Sequence, residues 1–234
     1  MTSNPRLQSL DDNIWVADAP LRFWGFEIGT RMTTVRLSDG SLWLCSPIPI
    51  DEALAEQLHA QGPVRHVLGP NRYHHLYLGP ACDRFDGARL YLAPGLAEKR
   101  ADLAVATTLQ SGDRYPWSED LDHVFLEGVP ELNEVAFFHR TSRTLILTDH
   151  LFHLGKDCRS WGTRCLGRML GVYAAPALPR EVRYLFVKNK AALAHAMSQV
   201  LQWDFDRVVL THGKIVERRG KAVIEAAYAD ILNT

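Results

Sequence analysis

Four short runs rich in β-branched and aromatic residues, NIWVADAP, RFWGFEIG, RMTTVRL and SLWLCS, stand in a row before the chain meets its first helical pattern. Runs of this kind, broken by Gly, Pro and Asp, are strands joined by turns. The SDGS at 38–41 reads as a hairpin turn between the last two. A chain that opens on consecutive strands does not wind into a simple Rossmann sheet, in which strand and helix alternate from the start. The helix that follows, DEALAEQLHAQG, has Asp51 placed to cap it and Gly62 to stop it.

The rest of the chain repeats the theme. RHVLG and ARLYLAP read as strands and GLAEKRAD as a short helix; HVFLEGV, EVAFFHR and RTLILTD form a second set of strands. SWGTRCLGRMLGVY and NKAALAHAMSQVLQ carry apolar residues at helical spacing, RVVLTHG is a last strand, and GKAVIEAAYADIL a terminal helix. This order predicts a layered α/β fold: two sheets face to face, one from each half of the chain, with helices on both outer faces. No linker long enough to divide the chain is visible, so residues 1–234 are expected to form a single domain.

Acids and bases are scattered and the formal charge is −1, so no basic stripe suggests nucleic acid as a partner. No apolar run approaches the roughly 18 residues of a membrane span, and MTSNPRLQSLDDNIW lacks the features of a signal peptide. A cytoplasmic protein with neither nucleic-acid nor membrane partners is expected. Cys45, Cys82, Cys158 and Cys165 form no CxxC pair and read as free thiols. Trp15, Trp24, Trp43 and Phe137 read as core.

The chemistry is concentrated at strand ends. GPNRYHHLYLGP places His74 and His75 directly behind the RHVLG strand, Asp149 ends RTLILTD, and His212 ends RVVLTHG. Adjacent side chains diverge on a strand and on a helix, and converge only where the chain turns. Three histidines and a carboxylate at strand ends are a plausible shell for one divalent transition metal. The bland alternatives are a surface histidine pair, a strand-end cap at His212 and a helix cap at Asp149.

These residues and their order resemble the metallo-β-lactamase superfamily, a four-layer αββα sandwich, over most of the chain. The phrases SPIP, PNxxHHLxLG, NEVxFFHR and TLILTD are similar to a bacterial branch that brings no substrate with it. Superposing the family's HxHxDH motif puts its final His on His75 and its Asp on His74. Its first two histidines fall on Pro70 and Arg72, and its next histidine near Pro130. Neither proline nor a protonated arginine replaces an imidazole. The resemblance therefore implies one metal, held by His74, His75, Asp149 and His212, with zinc the first expectation and iron or manganese the alternatives.

The resemblance further implies a mononuclear hydrolase acting on an ester, thioester, amide or phosphoester. Asp149 would be part of the catalytic site, and Arg72 would grip an anionic small-molecule substrate. Glu134 would orient a histidine or act as general base. A catalytically inactive protein of the same fold, working by ligand or partner binding, is the rival reading. His153, four residues after Asp149, is a candidate second-shell or spare ligand. Oligomeric state leaves no sequence trace.

Overall fold

The computed structural model describes residues 6–103, 106–156, 158 and 160–233. The chain opens with strands β1 (Gln8–Asp11), β2 (Ile14–Ala19), β3 (Arg22–Phe23), β4 (Phe26–Glu27), β5 (Thr30–Arg36) and β6 (Leu42–Cys45). Helix α1 (Glu52–His59), β7 (Val64–Gly69), α2 (Leu78–Arg84), β8 (Arg89–Leu92), α3 (Leu96–Lys99) and β9 (Thr107–Thr108) follow. The second half supplies β10 (Leu121–Phe125), β11 (Val135–His139), β12 (Thr144–His153), α4 (Trp161–Leu170) and a π-helical turn at Val182–Phe186. It ends with α5 (Lys190–Val200), β13 (Arg207–Gly213), α6 (Gly220–Ala227) and α7 (Ala229–Leu232).

Two large sheets result, with strand orders β1-β2-β5-β6-β7-β8-β9 and β10-β11-β12-β13, beside the small two-stranded sheet β3-β4. Each comes from one half of the chain, as the element order predicts. The opening strands pair antiparallel up to β6, whereas β6, β7, β8 and β9 run parallel because helices provide their crossovers. Between the sheets lies an aromatic-rich layer in which Trp43 meets Trp117 and Phe137 edge to face, with Leu68 and Ile146 beside them. Outside the first sheet, Leu54, Leu58, Leu78 and Leu96 of α1, α2 and α3 pack on Leu44, Val67 and Leu92. Outside the second, Leu193, Met197 and Val200 of α5 and Ile224 of α6 pack on Leu145, Leu147 and Leu210. The molecule is an αββα sandwich.

Local rules hold where they are strong. Asp51 Oδ1 accepts the Leu54 N–H, the N-cap bond expected of it. RFWGFEIG is not one strand but the β3–β4 hairpin, because Trp24 and Gly25 both take left-handed φ values, 47° and 84°, and turn the chain. β1 and α2 escape the sequence reading, being short and weakly patterned. The terminal helix is split at Tyr228 into α6 and α7.

Candidate metal centre

The geometry of the site begins with a break in a ladder. Strand β12 pairs parallel with β13, Leu147 opposite Leu210 and Phe152 opposite His212, so β12 spends five steps where β13 takes two. The intervening residues lose their sheet partners, and buried N–H groups need others. Glu134, fully buried, supplies them: one carboxylate oxygen accepts the Thr148 N–H at 2.8 Å, the other those of Asp149 at 2.7 Å and His150 at 3.2 Å. The bulge that brings Asp149 to the site thus rests on a single carboxylate.

Asn71, also fully buried, ties the histidine loop to this bulge. Its Nδ2 lies 2.8 Å from Asp149 Oδ2, 2.9 Å from Thr148 Oγ1 and 3.1 Å from Glu134 Oε2. Its Oδ1 accepts the N–H of Tyr73 at 2.8 Å and of His74 at 2.9 Å. An amide has two N–H hydrogens, so the three acceptors share them. The result is a turn that points His74 at Asp149.

His74, Asp149 and His212 come together, with one donor atom from each lying within 4.8 Å of the others. Both imidazole Nε2 atoms stand 3.3 Å from the Asp149 carboxylate. His212 Nδ1 is 2.7 Å from the Gly29 carbonyl, which accepts only, so this nitrogen carries the proton and Nε2 keeps its lone pair in the neutral ring. His74 Nδ1 is 2.6 Å from Ser46 Oγ, a hydroxyl able to receive the same kind of bond. Holding the far nitrogen in this way is how metal-binding histidines are oriented. Two imidazoles and a carboxylate, nearly buried and with the far nitrogen of each ring held by a hydrogen bond, fit a divalent transition metal.

Burial opposes charge on His74, but the Asp149 carboxylate, with Glu134 behind it, outweighs burial and raises its pKa. Burial likewise opposes charge on Asp149, and the two histidines overcome it, holding the carboxyl well below the usual carboxylate range. The Asp149 side chain is therefore an anion, as a ligand must be.

His75 does not join this group. Its Nδ1 lies 3.1 Å from an Arg100 guanidinium nitrogen that also donates to its carbonyl, and burial, Lys99 and Arg100 together lower its pKa. The four-ligand set expected from the sequence is thus reduced to three, because neighbouring side chains diverge even in this turn. Arg72 Nη1 donates to the Pro130 carbonyl at 3.1 Å, and its aliphatic stem lies against Gly95. Glu134 is no general base, since its oxygens are occupied by N–H groups and sealed from solvent. His153 pairs in the ladder with Gly213 and helps line a cavity of about 310 Å3 with Gly155, Cys158, Gly213 and Lys214, next in the chain to His212.

Ser46 and Asn71 are the residues that sequence reasoning passed over. Both lie inside phrases singled out above, SPIP and PNxxHHLxLG, and Ser46 carries a further mark: a buried non-glycine residue with φ of 54°.

The chain matches the family described as Domain of unknown function (DUF4336) over residues 11–160. It belongs to that family. No curated protein matches the sequence. Among solved structures, it is similar to a metallo-β-lactamase from Pontibacter korlensis (12% identity, 99% of this chain and 100% of that one, TM-score 0.64). It is also similar to one from Erythrobacter litoralis (11% identity, 98% of each chain, TM-score 0.65). The FIM-1 metallo-β-lactamase of Pseudomonas aeruginosa in its mono-zinc form matches at 9% identity, over 98% of this chain and 97% of that one, with TM-score 0.59. At such identities the likeness shows the fold, which is that of the metallo-β-lactamases.

Proposed function

We propose that this DUF4336 chain is a metal-dependent hydrolase working with a single ion held by His74, Asp149 and His212. The observation that carries the reading is the convergence of three donors, two of them imidazoles whose outer nitrogens are held by Ser46 and Gly29. A divalent ion bound there would supply Lewis acidity and a water of lowered pKa for attack on an ester, thioester, amide or phosphoester. Three protein donors, rather than the four of the sequence expectation, fit a catalytic zinc better than a closed structural one. Zinc is the first expectation, in keeping with this donor set.

The chain's own groups divide the remaining work. Asn71 and Glu134 hold the ligands in register, the Phe152 ring packs at a tilt with its centroid 4.7 Å from that of His212, and the cavity beside Gly213 offers space for a small substrate next to the ion. Lys214 lies in the wall of that cavity.

One observation favours a second reading, a protein of this fold that has given up catalysis. With His74 favouring its proton and Asp149 its charge, the three side chains satisfy one another as an ion-paired cluster without a metal. Elemental analysis of the untagged protein separates the two. About one equivalent of zinc, iron or manganese, retained in His75→Ala and lost in His74→Ala and Asp149→Asn, supports the hydrolase and justifies an ester, thioester and phosphoester screen. No metal uptake by folded wild type after incubation with each ion would leave the ion-paired cluster as the functional state.

A further inference from the structure

Trp24 was expected in the core, yet it is 88% exposed. It sits at the tip of the β3–β4 hairpin with φ of 47°, a conformation that favours glycine and disfavours a bulky side chain. Phe23, 48% exposed, stacks on it at 5.4 Å. Nothing in the packing of the sandwich requires a tryptophan there. Backbone strain beneath a solvent-facing aromatic points to a use outside the fold.

The hairpin docks on α4, where Thr163 Oγ1 donates to the Glu27 carbonyl at 2.7 Å and Phe26 lies against Gly162. Helix α4 turns Thr163 and Gly167 inward. Its outward face carries Trp161, Cys165 and Met169 at i, i+4 and i+8, with Trp161 73% and Met169 67% exposed. Arg164 and Arg168 run alongside this stripe at i and i+4. Just beyond α4, Arg180 donates to the Met169 carbonyl, and Tyr184 and Leu185 are exposed in the π-helical turn. Six of the eight exposed large apolar side chains among the described residues belong to this hairpin, helix and turn.

Charge singles out the same region. Positions 156–190 hold eight Lys and Arg against two Asp and Glu, in a chain whose net charge is −1. Some are spent within the fold, as Arg183 is on Asp230. Those beside the apolar stripe are not: Arg164 and Arg180 bond carbonyl oxygens, and Arg168 lies over the Tyr173 ring and on a carbonyl. Arg164, Arg168 and Arg180 give this face of the described residues a local positive charge.

We infer that the Trp24 hairpin tip and the outward face of α4 form a docking surface for an anionic lipid interface. Tryptophan, methionine and leucine rimmed by arginine match a boundary where apolar side chains meet acyl chains and cations meet negative headgroups. A second copy of this chain fits poorly, because a two-fold contact would set Arg164 and Arg168 against their own images. Single-stranded nucleic acid calls for a basic groove lined by stacking rings, whereas these residues occupy a hairpin tip and a helix face.

The test is flotation of the full-length protein with phosphatidylcholine vesicles, with and without about one-third phosphatidylglycerol. Binding to the anionic vesicles alone is expected, weakening between about 0.05 and 0.5 M salt. Trp24→Ser and Trp161→Ser should each lower the bound fraction at least about fivefold. Arg164→Glu with Arg168→Glu should lower it at least about tenfold. Arg114→Glu, a charge change at an exposed ion pair elsewhere on the chain, should leave it unaltered. Wild type that stays in solution with anionic vesicles overturns the inference. So does binding indifferent to the tryptophan and arginine substitutions, or retention on a single-stranded oligonucleotide in place of vesicles. Circular dichroism and melting temperature confirm that each variant is folded.

Discussion

At the scale of single residues, the cluster of His74, Asp149 and His212 rests on two buried groups, Glu134 and Asn71. Glu134 accepts from three backbone N–H groups and from Asn71. In Glu134→Gln, whichever way the amide is turned, its NH2 faces at least one backbone donor, leaving N–H groups unsatisfied in the interior. A loss of roughly 2–4 kcal/mol is expected, with reduced metal content, read by denaturant unfolding and elemental analysis. Asn71→Ala should cost a similar amount, about 2–4 kcal/mol, because the N–H of His74 and one Asp149 oxygen lose their partner together. His75→Ala should leave metal content unchanged and show that adjacency in sequence is not adjacency in the site. Of these residues, His74, Asp149 and His212 were legible because imidazoles and carboxylates at strand ends are conspicuous. Asn71 and Ser46 were not, because a hydrogen-bonding role depends on what faces the residue, and sequence does not show that.

At the scale of elements, the decisive feature is the meeting of β12 and β13. Gly213 has φ of 98°, and a Cβ there would lie 2.0 Å from the His153 carbonyl oxygen. Gly213→Ala therefore forces the end of β13 away from β12 and carries His212 with it. A destabilisation of about 2 kcal/mol or more is expected, together with loss of bound metal. Gly112→Ala is the control, since its φ is 85° but nothing lies within 4 Å of the added carbon. That change should cost only about 1–2 kcal/mol, the price of the backbone conformation alone. Thermal melts of the two variants distinguish strain from clash. The strands and most helices were readable from composition and spacing, whereas the long bulge at 148–151 was not. RTLILTD and DHLFH look like one strand running into a segment that Asp149 caps, and only the ladder shows that they are one element with a break.

At the scale of the whole molecule, burial lowers the pKa of His66, His123 and His139 from 6.5. These rings stay neutral in the fold while the unfolded chain binds protons near 6.5. Their stabilising effect is complete above that value and is lost as pH falls below it. Burial lowers the pKa of His75 and His150 as well, so His74, whose pKa is raised, stands alone against five histidines. The melting temperature in the presence of chelator should therefore fall between pH 7.5 and 5.5; a rise would contradict the burial of these histidines. At pH 7.5, zinc at about a hundred times its dissociation constant should add about 2.7 kcal/mol to wild type and to His75→Ala, and little to His74→Ala. Differential scanning fluorimetry reads both.

By itself the sequence determined most of the element order, the two-sheet architecture and the strand ends on which metal-binding chemistry can stand. These follow from local patterning, since an apolar period or a turn residue acts within a few positions. No helix among the described residues is long and apolar enough to cross a membrane, as the hydropathy predicts. Only the tertiary structure decided that His75 turns away to Arg100, that Glu134 holds a bulge, and that Trp24 faces solvent. Each is settled by partners 14 or more positions away, or by a backbone twist that no composition reveals. A side chain's type says what it can bind, and the fold decides what it meets.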